Sequence, residues 1–271
     1  MSRRDPARPS PRAHGYRRGA DLVLLGDVRS HLVQGRRIDM PVRIRDASAC
    51  AATYLVRADA ARAVIAYSGL DVTEVLPGKA ACTLVFVQYR DGDLDAYHEF
   101  GMAFLIRPPG AGRRPGRGLL AGLKDVRAAG SGAFVHWLPV DQGFTLEAGR
   151  RIWGFPKERA EIDLRLATPY KRCILHRDGR LVLDLLLRPG VPLPPGTMAP
   201  IDAYSHLDGI TRRVPWTARA SGVRARPGGA LIRLGNHPIA KELSELGLPG
   251  TALMTVTADH VTMSFEDAVP M

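Results

Sequence analysis

The residues most able to do chemistry surround one lysine. Residues 149–157 read Gly-Arg-Arg-Ile-Trp-Gly-Phe-Pro-Lys. Three large apolar side chains, Ile152, Trp153 and Phe155, directly precede Lys157, and Gly154 and Pro156 set the path between them. A lysine amine titrates near pH ~10.4 in water, so at neutral pH it attacks a carbonyl only after shedding a proton. Desolvation disfavours the ammonium form. Ile, Trp and Phe are residues that would exclude water, so the segment points to an imine-forming lysine.

Elimination supports the same residue. Of 38 Lys+Arg, only Lys79, Lys124, Lys157, Lys171 and Lys241 are lysines. Arginine stays protonated in proteins and forms no Schiff base. Lys79 lies in a Pro-Gly-Lys turn and Lys171 adjoins Arg172. Lys124 precedes Asp125 and Arg127. Lys241 belongs to an amphipathic helical pattern that turns it outward. Only Lys157 follows a run of large apolar residues. A lysine at the start of a strand is ordinarily solvated, and that bland reading stands beside the chemical one.

The segment 149–157 resembles the active-site segment of the acetoacetate decarboxylase family. There the pattern is Gly-Arg-Glu, a few apolar or small residues, then aromatic-Pro-Lys-Lys. Acetoacetate decarboxylase is itself the familiar example of a lysine activated for covalent catalysis. The family's imine-forming lysine falls on Lys157. Residues 97–101, Tyr-His-Glu-Phe-Gly, resemble the family segment bearing an active-site glutamate, which falls on Glu99. Segments 52–71, 136–157 and 226–269 match in order and spacing, so the resemblance covers most of 41–270.

Two departures stand out. Glu158 occupies the place of the family's second lysine. A carboxylate beside an amine favours the ammonium form, but successive residues of a strand face opposite ways, which would turn Glu158 aside. The family's early active-site arginine has no clear counterpart; Arg43 and Arg45 are the nearest. The resemblance implies an α+β fold, mainly antiparallel β and barrel-like with a few short helices. It implies a homo-oligomeric, cofactor-independent lyase for a small-molecule keto acid. Lys157 and Glu99 would be catalytic. Arg45, Arg150, Trp153 and Phe155 would bind substrate or keep the site dry. No metal is called for, because a protonated imine is itself the electron sink.

The elements that must position these groups can be read from the pattern. Residues 81–89 and 96–106 form a predicted hairpin turned at 91–95, placing Glu99 opposite 82–89. Short strands are expected at 42–45 and 53–56, with a helix at 59–68 ended by Gly69. After a strand at 132–138, Thr145 is the expected cap of a short helix running to Trp153, with Gly154 at its end and Pro156 beyond. Ala160, Ile162, Leu164 and Leu166 then alternate with charged residues. Strict alternation puts Lys157 on the polar face, unless a break at Pro156 resets it. A hairpin at 173–188 turns at 177–179. Further strands are expected near 201–206 and 211–219, a helix at 238–246, and closing strands at 253–258 and 261–265.

Composition bounds the remaining possibilities. The 271 residues are 45% hydrophobic and 24% charged, ordinary for a globular domain. Residues 1–20 read as a disordered basic tail and 21–271 as a single domain. Net charge is +11, but the basic residues are dispersed and no aromatic platform accompanies them, so a nucleic-acid binder ranks last. The glycine- and arginine-rich stretch 108–118 reads as an exposed loop. Cys50, Cys82 and Cys173 have no zinc spacing and no disulfide framework. No run reaches membrane-spanning length, and a cytoplasmic protein is expected. His98-Glu99 starts a zinc-protease pattern whose second histidine position is Met102. Asp91, Asp93 and Asp95 start a calcium-loop pattern that ends on Met102 in place of glutamate. The reaction expected is decarboxylation of a β-keto acid such as acetoacetate. Aldol or dehydratase chemistry through the same imine, and a non-catalytic β-barrel binding a small acid, are the alternatives.

Overall fold

A computed structural model of the chain describes residues 29–107, 131–194 and 202–271. The basic tail, the 108–118 loop and Lys124 lie outside the described residues. The rest is mainly antiparallel β, with helices at Ala58–Ile65, Gly143–Trp153 and Pro238–Glu245. A long strand, Val42–Arg57, pairs with Lys79–Gly92, which pairs with Tyr97–Ile106, which pairs with Gly132–Val140. These four form the centre of a 13-stranded sheet. Strand Met254–Phe265 flanks Val42–Arg57 on one side, and Asp202–Leu207 runs parallel to Gly132–Val140 on the other. A separate four-stranded sheet holds Glu161–Arg165, Lys171–Arg177, Arg180–Leu187 and Ala230–Leu234.

Both faces of the central strands are buried, for different purposes. Phe86, Phe100 and Met102 point to a core shared with Ile162, Cys173 and Leu185 of the four-stranded sheet and with Ile65 and Leu243 of two helices. The opposite face carries Val87, Tyr89 and Tyr97, packed against Ala148, Ile152 and Trp153 of the Gly143–Trp153 helix and Val33 and Ile38 of an N-terminal hairpin. Period-two alternation sends Glu99 to this second face, because Tyr97 and Glu99 are two residues apart. Each large apolar side chain buried here contributes roughly 1.5–3 kcal/mol.

Several expected boundaries are corrected. The strands at 42–45 and 53–56 are one strand of 16 residues, Val42–Arg57. The closing strands at 253–258 and 261–265 are likewise one, Met254–Phe265, with register shifts near Ala258 and Val261. The run 211–219 is two strands, Ile210–Val214 and Trp216–Ser221, divided at Pro215, a residue with no N–H for a ladder. The helix at 59–68 ends as a 3-10 turn, Ala66–Ser68, before Gly69. The hairpin at 173–188 turns at Asp178 and Gly179, both with positive φ, as a tight two-residue turn requires.

Candidate active site

The segment before Lys157 is built to end sharply. Gln142, not Thr145, caps the Gly143–Trp153 helix, its side chain accepting from the Thr145 N–H. Thr145 sits inside the first turn, where it is free to point its hydroxyl elsewhere. Gly154 ends the helix at φ 63, and the Gly154 and Phe155 N–H groups donate to the carbonyls of Arg150 and Gly149. Glycine takes this left-handed conformation without the steric cost a Cβ would bring. Pro156 cannot continue the helix, and Lys157 enters a short strand, Lys157–Arg159, parallel to Gly132–Val140 with Lys157 opposite Leu138.

The alternation read from the sequence does reset, but at Ala160 rather than Pro156. Lys157–Arg159 belongs to the large sheet and Glu161–Arg165 to the small one. Ala160 bridges them, its N–H donating to the Val140 carbonyl. Lys157 is thereby buried, while Arg159 and Glu161 are exposed.

Lys157 retains 3% of its exposure and Glu99 8%. The amine Nζ lies 2.7 Å from Glu99 Oε2 and donates to Thr145 Oγ1 at 3.2 Å. Tyr89 donates from its hydroxyl to Glu99 Oε1 at 2.9 Å. The Tyr97 ring centroid is 5.1 Å from Nζ. Gly149, one turn after Thr145, clears room for the lysine stem along the helix face. The nitrogen therefore sits beside the first turn of the helix, whose positive dipole end disfavours another positive charge. Desolvating an ammonium–carboxylate pair is costly. The 2.7 Å contact is short enough for a proton to pass directly between the amine and the carboxylate.

Glu158 faces the other way, accepting from Trp137 Nε1 at 2.7 Å and pairing with Arg177. Trp153 and Phe155 are buried 6.0 Å apart, and Trp153 Nε1 donates to the Glu266 carbonyl. They form the wall of the second core, and the ring over the nitrogen is that of Tyr97. Arg45 is exposed and directs its guanidinium to Asp91 and Asp93 at 2.6–2.9 Å. Those two aspartates are among the three, with Asp95, that mimic a calcium loop in the sequence. Arg150 is exposed in the last turn of its helix. The structure thus brings Lys157 and Glu99 together and places Arg45 in a separate surface ion-pair cluster. Sequence reasoning missed Tyr89, Tyr97, Thr145 and Gly149. Tyr97 was within reach, two residues before Glu99 on a strand, hence on the same face.

Among the described residues no group of His, Cys, Asp or Glu is arranged to hold a metal ion. No helix among them is long and apolar enough to cross a membrane.

The family model for acetoacetate decarboxylase matches residues 32–267. The chain belongs to the acetoacetate decarboxylase family. A comparison with curated protein sequences finds no match. Solved structures show the same fold. The enduracididine biosynthesis enzyme MppR, complexed with the condensation product of pyruvate and imidazole 4-carboxaldehyde, matches with TM-score 0.61 and 15% identity over 85% of this chain and 88% of its own. The acetoacetate decarboxylase of Legionella pneumophila matches with TM-score 0.61 and 14% identity, over 85% and 87%. An acetoacetate decarboxylase-like enzyme from Sphingomonas wittichii RW1 matches with TM-score 0.58 and 17% identity, over 88% and 96%. At these identities the likeness is one of fold.

Proposed function

We propose that this member of the acetoacetate decarboxylase family is a Schiff-base-forming lyase that decarboxylates a β-keto acid such as acetoacetate, with Lys157 as nucleophile. One observation carries the reading: a lysine amine 3% exposed with a buried carboxylate 2.7 Å away. The amine, having passed a proton to Glu99, adds its lone pair to the ketone carbon. The carbinolamine oxygen takes a proton from Glu99 and a second from the nitrogen and leaves as water. As the water departs, the nitrogen lone pair closes the C=N bond, and the one hydrogen left on nitrogen makes it the iminium. The bond to the carboxylate then breaks, its electron pair entering the iminium to give an enamine and CO₂. The enamine carbon takes up a proton, and water hydrolyses the resulting iminium to ketone and free lysine. Glu99 is the group placed to carry protons on and off the nitrogen.

A second reading keeps the imine but replaces loss of CO₂ with an aldol or dehydration step on a keto acid. The engagement of Arg45 with Asp91 and Asp93 favours it, since that arginine is not available to hold a departing carboxylate. Pyruvate and its condensation product with an aldehyde, the ligands bound to MppR, belong to such chemistry.

The test is to incubate the protein with acetoacetate and separately with pyruvate, follow CO₂ release, and reduce with borohydride. A reduced adduct with CO₂ from acetoacetate supports decarboxylation. An adduct without CO₂ supports the second reading, and no adduct from either leaves a binding protein. Glu99→Gln should slow adduct formation by about 10²-fold, the scale of general acid–base assistance.

A further inference from the structure

The proposed reaction uses Lys157 and Glu99, yet two buried tyrosines lie against both. Tyr89 and Tyr97 are direct cross-strand partners, with rings stacked 4.2 Å apart and inclined by 17°. Tyr89 holds Glu99 Oε1, whereas Oε2 faces the lysine. Tyr97 presents its ring face to Nζ at 5.1 Å. Thr145 accepts from Nζ. Four side chains thus gather round one nitrogen, Glu99, Thr145 and Tyr97 directly and Tyr89 through Glu99 and the ring stack. Burial holds both phenols well above their ordinary range, and the Glu99 charge pushes the same way. Both stay protonated, so Tyr89 remains a donor to Glu99.

Resting on the reading of Lys157 as the imine-forming residue, we propose that the stacked Tyr89–Tyr97 pair is the positioning unit of the site. Tyr89 pins one carboxylate oxygen so that the other stays on the nitrogen. Tyr97 keeps an aromatic face on that nitrogen as it becomes an iminium. An aromatic face attracts a cation but has little to offer a neutral amine. Its attraction therefore grows as the iminium forms, and only interactions that strengthen along the reaction accelerate it. The stacking explains why both tyrosines are needed: each ring fixes the plane of the other.

The experiment compares borohydride trapping of Lys157 by acetoacetate or pyruvate across pH, in the full chain and in Tyr97→Phe, Tyr97→Leu and Tyr89→Phe, with thermal unfolding as the control for folding. Tyr97→Phe keeps the ring and should trap within about threefold of the parent, whereas Tyr97→Leu should trap about tenfold or more slowly, the scale of a desolvated cation–π contact. Tyr89→Phe keeps the stack but frees Glu99, and should shift the pH profile of trapping. Parent-like rates and profiles in folded Tyr97→Leu and Tyr89→Phe would overturn the proposal, as would equal losses in Tyr97→Phe and Tyr97→Leu. Should Tyr97→Leu fail to fold, the Tyr89→Phe profile decides, an unshifted one counting against. A parent protein that yields no adduct with either acid overturns the Lys157 reading itself, a result distinct from failure of the tyrosine pair alone.

Discussion

Gly149 and Lys157 are packed so closely that a Cβ built on the glycine would lie 2.5 Å from the lysine Cδ and 2.6 Å from its Cε. The helix therefore acts as a rail for the lysine stem, leading Nζ from Gly149 toward Thr145. Gly149→Ala should push the stem off this rail. The expected cost is about 1–3 kcal/mol of stability, the usual range for overpacking a tight site. The larger effect should be on chemistry, with borohydride trapping of a keto acid falling more than the drop in stability explains. Denaturant titration and trapping rate, measured on the same preparation, check this.

Glu158 stands where the family carries a second lysine, but its carboxylate belongs to Trp137 and Arg177 on the opposite face of the strand. Restoring the family residue should not help. In Glu158→Lys the new ammonium would face Arg177, with an expected loss of about 1 kcal/mol for a half-exposed pair turned repulsive. The pH profile of trapping should stay where it is. A profile moved toward lower pH would show that position 158 does reach the amine.

Much of this site was legible in the sequence, for physical reasons that differ by residue. Lys157 was visible because large apolar residues before a lone lysine are uncommon. Glu99 was visible through the resemblance of residues 97–101 to the family's glutamate segment, and its hairpin strand put that carboxylate into a β-rich interior. The ion pairs of Arg45 were not legible, because its partners, Asp91 and Asp93, meet it only through the pairing of Val42–Arg57 with Lys79–Gly92. The long strand itself was split in two because its middle, Ala47 to Ala52, is made of small residues that carry little hydrophobic signal. Gly149 was seen only as part of a motif; the close approach of the lysine stem is a tertiary fact. The strands Arg224–Pro227 and Ala230–Leu234 are short and interrupted by exposed residues, and no pattern announced them.

Asp184 couples stability to pH. Arg172 binds it through Nε and Nη2 at 2.8 and 2.7 Å, with Arg233 at 3.5 Å. Hydrogen bonds from Arg172 hold its carboxyl below the usual carboxylate value. A depressed folded value means that stability is fully present above the unfolded value of ~3.9 and is lost as pH falls through the folded value. Urea midpoints should therefore drop between about pH 4 and lower values. Asp184→Asn should be less stable at pH 7, by about 1–3 kcal/mol, and should show a smaller drop on acidification.

The cysteines should be silent. Burial pushes the Cys50 and Cys82 thiols up to about 12 and raises Cys173 as well. Thiolate, not thiol, is the reactive form. An aromatic disulfide reagent at pH 8 should find no reactive thiol in the native protein and three in guanidinium chloride, the number in the sequence.

The central claim is that the Lys157 amine forms an imine with a keto acid. Borohydride reduction in the presence of acetoacetate or pyruvate, followed by peptide mass analysis, tests it directly. One reduced adduct is expected, on the peptide containing Lys157, and it should be lost in Lys157→Arg. An adduct on Lys79, Lys124, Lys171 or Lys241, trapping that survives Lys157→Arg, or no adduct with either acid would contradict the claim.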